Sequence, residues 1–206
     1  LIKAVLFDFD GVIVNSFDAF AAYFQRILVK HGYRKPSEEE IRRVYYMPEV
    51  DILRTLSNER EDEKVYELFS DKETRPSEFS LADGAGGVIR RLSKRYRLAI
   101  ISNSERRFIL PILSKEGIDR CFEFVIANGE TKRHKPDPEP ILVALSRLGI
   151  RPEEAVYVGD YPSDIEAGKA AGTKVVYLSM ERDGREDARI TSLKELPAVL
   201  IGIDKG

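Results

Sequence analysis

Short apolar runs alternate along this chain with segments whose apolar residues recur every three or four positions. Residues 4–9, 97–101, 124–126, 155–158 and 174–178 form apolar runs of strand length, rich in β-branched side chains. A run that is apolar at successive positions suits a strand buried on both faces, as in a parallel sheet. Segments 105–116, 139–148, 162–171 and 192–200 carry the helical period instead. Gly117, Gly149 and Gly172 stand where three of these helices should stop, and Pro138 and Pro162 where two should start. Strand and helix in alternation predict an α/β fold: a doubly wound, three-layer parallel sheet with ligands bound at the carboxyl ends of its strands.

One region departs from this rhythm. Residues 17–81 show only helical patterns, at 18–30, 37–45, 50–56 and 62–69, with no strand among them. Such a segment is long for a crossover and suits a small helical bundle. The predicted organisation is therefore a catalytic core of residues 1–15 and 82–206, interrupted by an inserted α-helical cap at 16–81. Hinges are expected at 15–16 and at 81–87, the latter with three glycines.

Composition narrows the function classes. Hydrophobic residues make up 43% of the 206, enough for a buried core. A net charge of −2 without a basic stripe argues against a nucleic-acid partner. The opening apolar run is too short to span a bilayer, and no later stretch could span one, so no membrane association is expected. The single cysteine, Cys121, permits no internal disulfide and fits a reducing cytoplasm. The partner expected is a small molecule, and the chain is expected to work as a monomer or homodimer.

The chemistry concentrates where the apolar runs end. The first run closes in Phe7-Asp8-Phe9-Asp10-Gly11. Aspartate is a poor strand residue and a costly one to bury. If the strand persists, Asp8 and Asp10 share a face about 6–7 Å apart, a spacing that lets one act as nucleophile and the other carry protons. A calcium loop can begin in the same way, but Val12 and Val14 stand where its later oxygen ligands belong. The second run ends in Ser102-Asn103, which can donate to phosphate oxygens beside a helix start. Lys135 precedes Pro136, and Pro138 follows, in a stretch that restrains its backbone. A further run closes in Gly159-Asp160, with Asp164 four residues on. Singly, each of these is an ordinary strand end or helix cap. Together they supply carboxylates for a hard cation, and an ammonium and hydroxyl for phosphoryl oxygens: a magnesium and phosphate site.

In these motifs and their order the chain resembles the haloacid dehalogenase superfamily of phosphatases, in its phosphoglycolate phosphatase and β-phosphoglucomutase branch. The resemblance covers nearly the whole core: Asp8-Phe9-Asp10-Gly11-Val12, Ser102-Asn103, Lys135-Pro136-Asp137-Pro138, and Gly159-Asp160 with Asp164. It implies a sheet with the first strand in its middle and a helical cap between the first and second motifs. It also implies Mg²⁺-dependent hydrolysis of a small phosphorylated metabolite, with Asp8 as nucleophile and Asp10 as acid and base. Ser102, Asn103 and Lys135 would hold the phosphoryl group. The metal would lie on Asp8, the Asp10 carbonyl and Asp160, with Asp164 ordering a water or Lys135 behind it. By position, Arg43 or Tyr46 would meet the substrate from the cap. The bland reading makes the tyrosines cap core and leaves the arginines in solvent. Asn15 and Tyr161-Pro162 depart from the branch pattern at the site edge.

Four alternatives stay open. A phosphosugar mutase shares every core motif. A 2-haloacid dehalogenase needs no metal, and Asp10 argues against it. A phosphonate hydrolase would need a cap lysine such as Lys30 or Lys35. A non-catalytic binding protein would be expected to have lost one of these groups.

Overall fold

The computed structural model describes residues 1–70 and 79–204. The part of the expected cap at 71–78 lies outside the described residues. In chain order the elements are β1 (Ala4–Phe7), β2 (Val14–Asn15), α1 (Phe17–Lys30), α2 (Glu38–Val44), α3 (Glu49–Ser57), α4 (Asp62–Ser70), β3 (Ser80–Leu81) and α5 (Ala85–Leu92). There follow β4 (Arg97–Ile101), α6 (Arg106–Lys115), β5 (Phe124–Ile126), α7 (Glu139–Leu148), β6 (Ala155–Gly159), α8 (Pro162–Ala170), β7 (Lys174–Leu178), β8 (Ala188–Ile190) and α9 (Leu196–Ile203). The chain divides into two compact units, residues 1–14 with 81–206, and residues 15–80.

The first unit is built on a six-stranded sheet of order β5-β4-β1-β6-β7-β8. Every pairing in it is parallel. All four residues of β1 and all five of β6 are buried, which explains why their sequences are apolar throughout rather than alternating. Ala4, Leu6, Ala99, Ile101, Ala155 and Tyr157 share a core layer with Ile141, Ala144 and Leu145 of α7 and Ala167 of α8. Val5, Phe7, Leu98, Ile100, Val156 and Val158, which alternate with them, are equally buried. The chain runs from β1 to β4 on one side of the first strand and returns to β6 on its other side. The carboxyl end of β1 is therefore the point where the strand order reverses, and loops diverging there leave a crevice.

The second unit is helical. α1 buries Phe20, Ala21, Tyr23, Phe24, Ile27 and Leu28. α2 opens with a reciprocal cap in which Ser37 accepts from the Glu40 N–H and Glu40 accepts from that of Ser37. Tyr45, which caps its other end, packs its ring against Phe17 and Phe20 and shares a hydrogen bond with Ser16. A buried carboxylate, Glu49 at the start of α3, accepts from the Tyr23 hydroxyl.

Three local expectations need correction. The first strand stops at Phe7 and not at residue 9, although the Asp8 N–H still reaches the Val158 carbonyl at 2.8 Å. Asp8 and Asp10 are thus related through a turn and not by strand alternation. Gly86 and Gly87, expected in a hinge, lie inside α5, whose amphipathic residues Val88, Ile89 and Leu92 pack inward. The edge strand β8 went unpredicted because Ala188-Arg189-Ile190 lacks an apolar run. Among the described residues, no helix is long and apolar enough to cross a membrane.

Candidate active site

The register of the central strands sets the site. Phe7 lies opposite both Ile100 and Val158. The residues that follow these three are Asp8, Ile101-Ser102 and Gly159-Asp160, so the polar groups emerge side by side at one sheet edge. Directly after Asp8 the chain must turn, and Gly11 takes a φ of +74°. Its missing side chain has a second consequence: a Cβ there would sit 1.9 Å from an Asp160 carboxylate oxygen. The bare face of Gly11 is therefore what admits Asp160 to the site.

Asp8, Asp160 and Asp164 each present one carboxylate oxygen within 4.8 Å of the other two. A buried ammonium answers two of them. Lys135 Nζ is 2.9 Å from Asp8 Oδ1 and 2.7 Å from Asp164 Oδ1, and the residue is only 3% exposed. The loop carrying it is clasped by Asn103, whose amide nitrogen donates to the Lys135 carbonyl at 3.0 Å while its oxygen accepts from the Lys135 N–H at 3.2 Å. The His134 ring nitrogen meets the same carbonyl at 2.9 Å. Ser102 is buried at the end of β4, its hydroxyl oxygen accepting from the Ser104 N–H at 3.0 Å.

Asp164 is held from all sides. One oxygen accepts from Lys135 and, at 3.2 Å, meets the Tyr157 hydroxyl. The other accepts from the N–H groups of Asp160 at 3.1 Å and Tyr161 at 3.0 Å. Asp164 stands in the first turn of α8, behind Pro162, where a carboxylate completes orphan N–H groups and is favoured by the helix dipole. Gly159 makes room for it, since a Cβ there would lie 2.2 Å from that of Asp164. The Asp10 carboxylate accepts from the Ser104 hydroxyl.

Burial dominates the electrostatics. It pushes the Asp8 carboxyl up to about 7 from an ordinary 3.8; Lys135 opposes this, while Asp164 and Asp10 add to it. Burial, with Asp164 and Asp8 beside it, likewise pushes Asp160 well up. For Lys135 burial acts downward but is outweighed by Asp164 and Asp8, which hold the ammonium well above its ordinary value. Among the described residues, the carboxylates of Asp8, Asp160 and Asp164 meet one cation, Lys135, which leaves the site short of positive charge. All the offered donors are hard oxygens, and this set fits a divalent cation of the magnesium kind.

A pH dependence follows. Between the ordinary value of 3.8 and about 7, the unfolded chain has released the Asp8 proton while the folded chain keeps it. The site's contribution to stability is then fully present below about 4 and is lost as the pH rises through 7. In chelator, the unfolding midpoint is expected to fall between pH 5 and pH 8, reflecting on the order of a few kcal/mol. Excess Mg²⁺ should flatten the profile. Surface acids such as Glu40 and Glu154, held down to about 2 by hydrogen bonds from Arg34 and Lys3 respectively, act in the opposite direction and only at lower pH. A profile in chelator that is level or rising from pH 5 to 8 would contradict the assignment of buried, uncompensated charge.

The sequence-predicted residues thus divide. Asp8, Lys135, Asp160 and Asp164 converge, with Asn103 clasping the lysine loop and Asp10 tied to Ser104. In the helical unit, Arg43 is exposed and pairs with Glu39, one helical turn away, and Tyr46 is half-buried. Two participants escaped the sequence reading. Ser104 directly follows Ser102-Asn103 and is not singled out by the sequence. Tyr157 passed as part of a buried strand, where the only signal was a tyrosine between two valines.

A carboxylate, an ammonium and an acidic cluster that fits a cation, set at the reversal point of an α/β sheet, point to an enzyme of phosphate-ester chemistry. The chain belongs to the haloacid dehalogenase-like hydrolases, whose family model matches residues 5–178, and it is a phosphatase of that family. It is 30% identical over 189 residues to the pyrophosphatase PpaX of Bacillus pumilus, covering 90% of this chain and 87% of the relative. It is 32% identical over 189 residues to a phosphoglycolate phosphatase of Pseudomonas fluorescens, covering 86% and 69%. A haloacid dehalogenase superfamily hydrolase of subfamily IA from Geobacter sulfurreducens superposes with a TM-score of 0.74 at 28% identity, covering 97% of this chain and 96% of that one.

Proposed function

We propose that this phosphatase cleaves small phosphate monoesters, phosphoglycolate among them, through an aspartyl-phosphate on Asp8 with Mg²⁺ bound. The observation that carries the proposal is the buried Lys135 ammonium 2.9 Å from Asp8 Oδ1, anchored from behind by Asp164. An ammonium so placed favours the charged carboxylate against burial, which favours the proton, and it faces the position a phosphoryl group would take.

In the first step the Asp8 carboxylate attacks phosphorus, the bond to the leaving oxygen breaks, and Asp10 supplies that oxygen with a proton. Asp10 then takes a proton from water, whose oxygen attacks the acyl phosphate. Orthophosphate leaves and the Asp8 carboxylate returns. Ser102 and Lys135 hold the phosphoryl oxygens, Asn103 steadies the lysine loop, and Asp164 fixes the ammonium and the Asp160 loop. Asp8, the Asp10 carbonyl and Asp160 would hold Mg²⁺, which offsets the repulsion between an anionic nucleophile and an anionic ester. Arg43 and Tyr46 enter the proposal as substrate-facing residues of the helical unit, on the strength of their place in the chain.

The test is a panel of phosphoglycolate, pyrophosphate, sugar phosphates and nucleotides, with phosphate release and sugar-phosphate isomerisation followed together. Release from phosphoglycolate is expected in Mg²⁺, to drop at least about a hundredfold in excess EDTA, and to return when Mg²⁺ is restored. Undiminished release in chelator would remove the metal from the scheme. Isomerisation of a sugar phosphate without net phosphate release would replace hydrolysis with phosphoryl transfer.

A further inference from the structure

Tyr157 is fully buried in the middle of β6, level with Leu6 on one side and Val175 on the other. The other fully buried residues of its core layer are aliphatic, among them Ala4, Leu6, Ala99, Ile101 and the inner residues of α7, with the half-buried Phe124 packed against them. Phenylalanine would fill this space without burying a polar atom. A hydroxyl at such depth is costly unless it is fully engaged. Here it accepts from Lys135 Nζ at 2.9 Å. Its own hydrogen has two acceptors in reach, Asp164 Oδ1 at 3.2 Å and the Ile101 carbonyl at 3.3 Å.

The count at the ammonium matters more. A lysine has three N–H donors. Three acceptors surround Lys135 Nζ: Asp164 at 2.7 Å, Asp8 at 2.9 Å and Tyr157 at 2.9 Å. Two are carboxylates, and the third is a neutral phenol. A third carboxylate would add negative charge beside Asp8 and hold the nucleophile in its protonated form. An aliphatic residue would leave one N–H without an acceptor and free the ammonium to turn. The phenol fills the position without either consequence.

We propose that Tyr157 is a positioning residue for the reaction: its buried hydroxyl takes the third hydrogen of the Lys135 ammonium and so aims the N–H that reaches Asp8. When Asp8 carries the phosphoryl group, Asp164 and Tyr157 keep their two hydrogens, and the third passes from the Asp8 oxygen to a phosphoryl oxygen. This rests on the reading of Lys135 as the phosphoryl-holding group.

The test is a double-mutant cycle of Tyr157→Phe and Lys135→Met, assayed on p-nitrophenyl phosphate in saturating Mg²⁺, with folding checked by circular dichroism and the unfolding midpoint. Tyr157→Phe keeps the ring and is expected to fold. Its kcat should fall about tenfold or more while KM stays within about twofold, because the aimed N–H matters most when charge moves onto the phosphoryl oxygens. In the Lys135→Met background the same change should cost less than about twofold, since there is no ammonium left to aim. Affinity for orthovanadate should weaken with kcat, while product inhibition by orthophosphate stays near its parent value. A merely structural tyrosine would lower the unfolding midpoint and cost the same factor in both backgrounds, which would overturn the proposal. So would a Tyr157→Phe enzyme within twofold of the parent kcat. Full kcat in Lys135→Met alone would overturn the role given to Lys135, and the proposal with it, whatever the tyrosine variant does.

Discussion

Asp8→Asn should lose phosphate release by at least about a thousandfold while becoming harder to unfold. The two effects share one cause. Asp8 is 9% exposed, and burial pushes its carboxyl up to about 7 even with Lys135 alongside. The charged form that the proposed attack needs is therefore the form that the fold resists above that pH. Asparagine has nearly the same shape and can still accept the Phe9 N–H, which lies 2.7 Å from Asp8 Oδ1. It carries no charge to desolvate, and its amide is a far weaker nucleophile. Phosphate release and the unfolding midpoint, measured together at pH 8 in Mg²⁺ and in EDTA, check both halves. The variant should melt higher than the parent in EDTA, and Mg²⁺ should narrow the difference by stabilising the parent more. A folded variant keeping a tenth of the parent rate would remove Asp8 as nucleophile. A lower midpoint in EDTA would contradict the electrostatic account and leave the nucleophile assignment standing. Such a trade between stability and activity is common where a site holds charge that the fold disfavours.

Lys135→Met should be the most damaging change to fold and activity together. Methionine replaces much of the aliphatic stem but not the ammonium on which Asp8 and Asp164 converge. Removing one partner of a buried ion pair costs about 3–5 kcal/mol, because the charge left behind has neither water nor a counter-ion. The carboxylates escape this by keeping protons, so their folded values rise further above the ordinary range and stability falls more steeply with pH. The midpoint should therefore drop much more at pH 8 than at pH 5.5 in chelator. Turnover should fall at least about a thousandfold near neutrality, from the protonated nucleophile and the lost phosphoryl contact together. An equal drop in midpoint at both pH values would mean that lost packing, not lost charge, is responsible. A folded variant within tenfold of the parent would remove the ammonium from the chemistry.

The features of this site that can be read along the chain are those set by local rules. An apolar run that closes in Asp8, Ser102 or Asp160 announces a strand carrying something other than stability at its end, because each such residue costs free energy where it stands. Gly11 announces a turn for the same kind of reason, since its positive φ is costly for residues with a Cβ. The pattern falters where the local signal is divided. Asp10 was assigned to a strand face by alternation, and the strand had already ended at Phe7. α5 was obscured by its two glycines, which tertiary contacts tolerate within a helix. Arg43 was singled out by its place in the chain, and it pairs with Glu39 on an exposed helix face.

From the order of residues come the alternation of strand and helix, the helical insert, and the identity of the groups that end each central strand. These depend on side-chain period, glycine and proline, all effects that reach only a few residues. The strand order that brings β6 beside β1 decides the rest: that Asp160 fits against Gly11, that one lysine pairs with both Asp8 and Asp164, and that a tyrosine buried among aliphatic side chains touches its ammonium. Desolvation and ion pairing act through space, as between Lys135 and Asp164, 29 positions apart, and Lys135 and Asp8, 127 apart, and no local pattern can anticipate their balance.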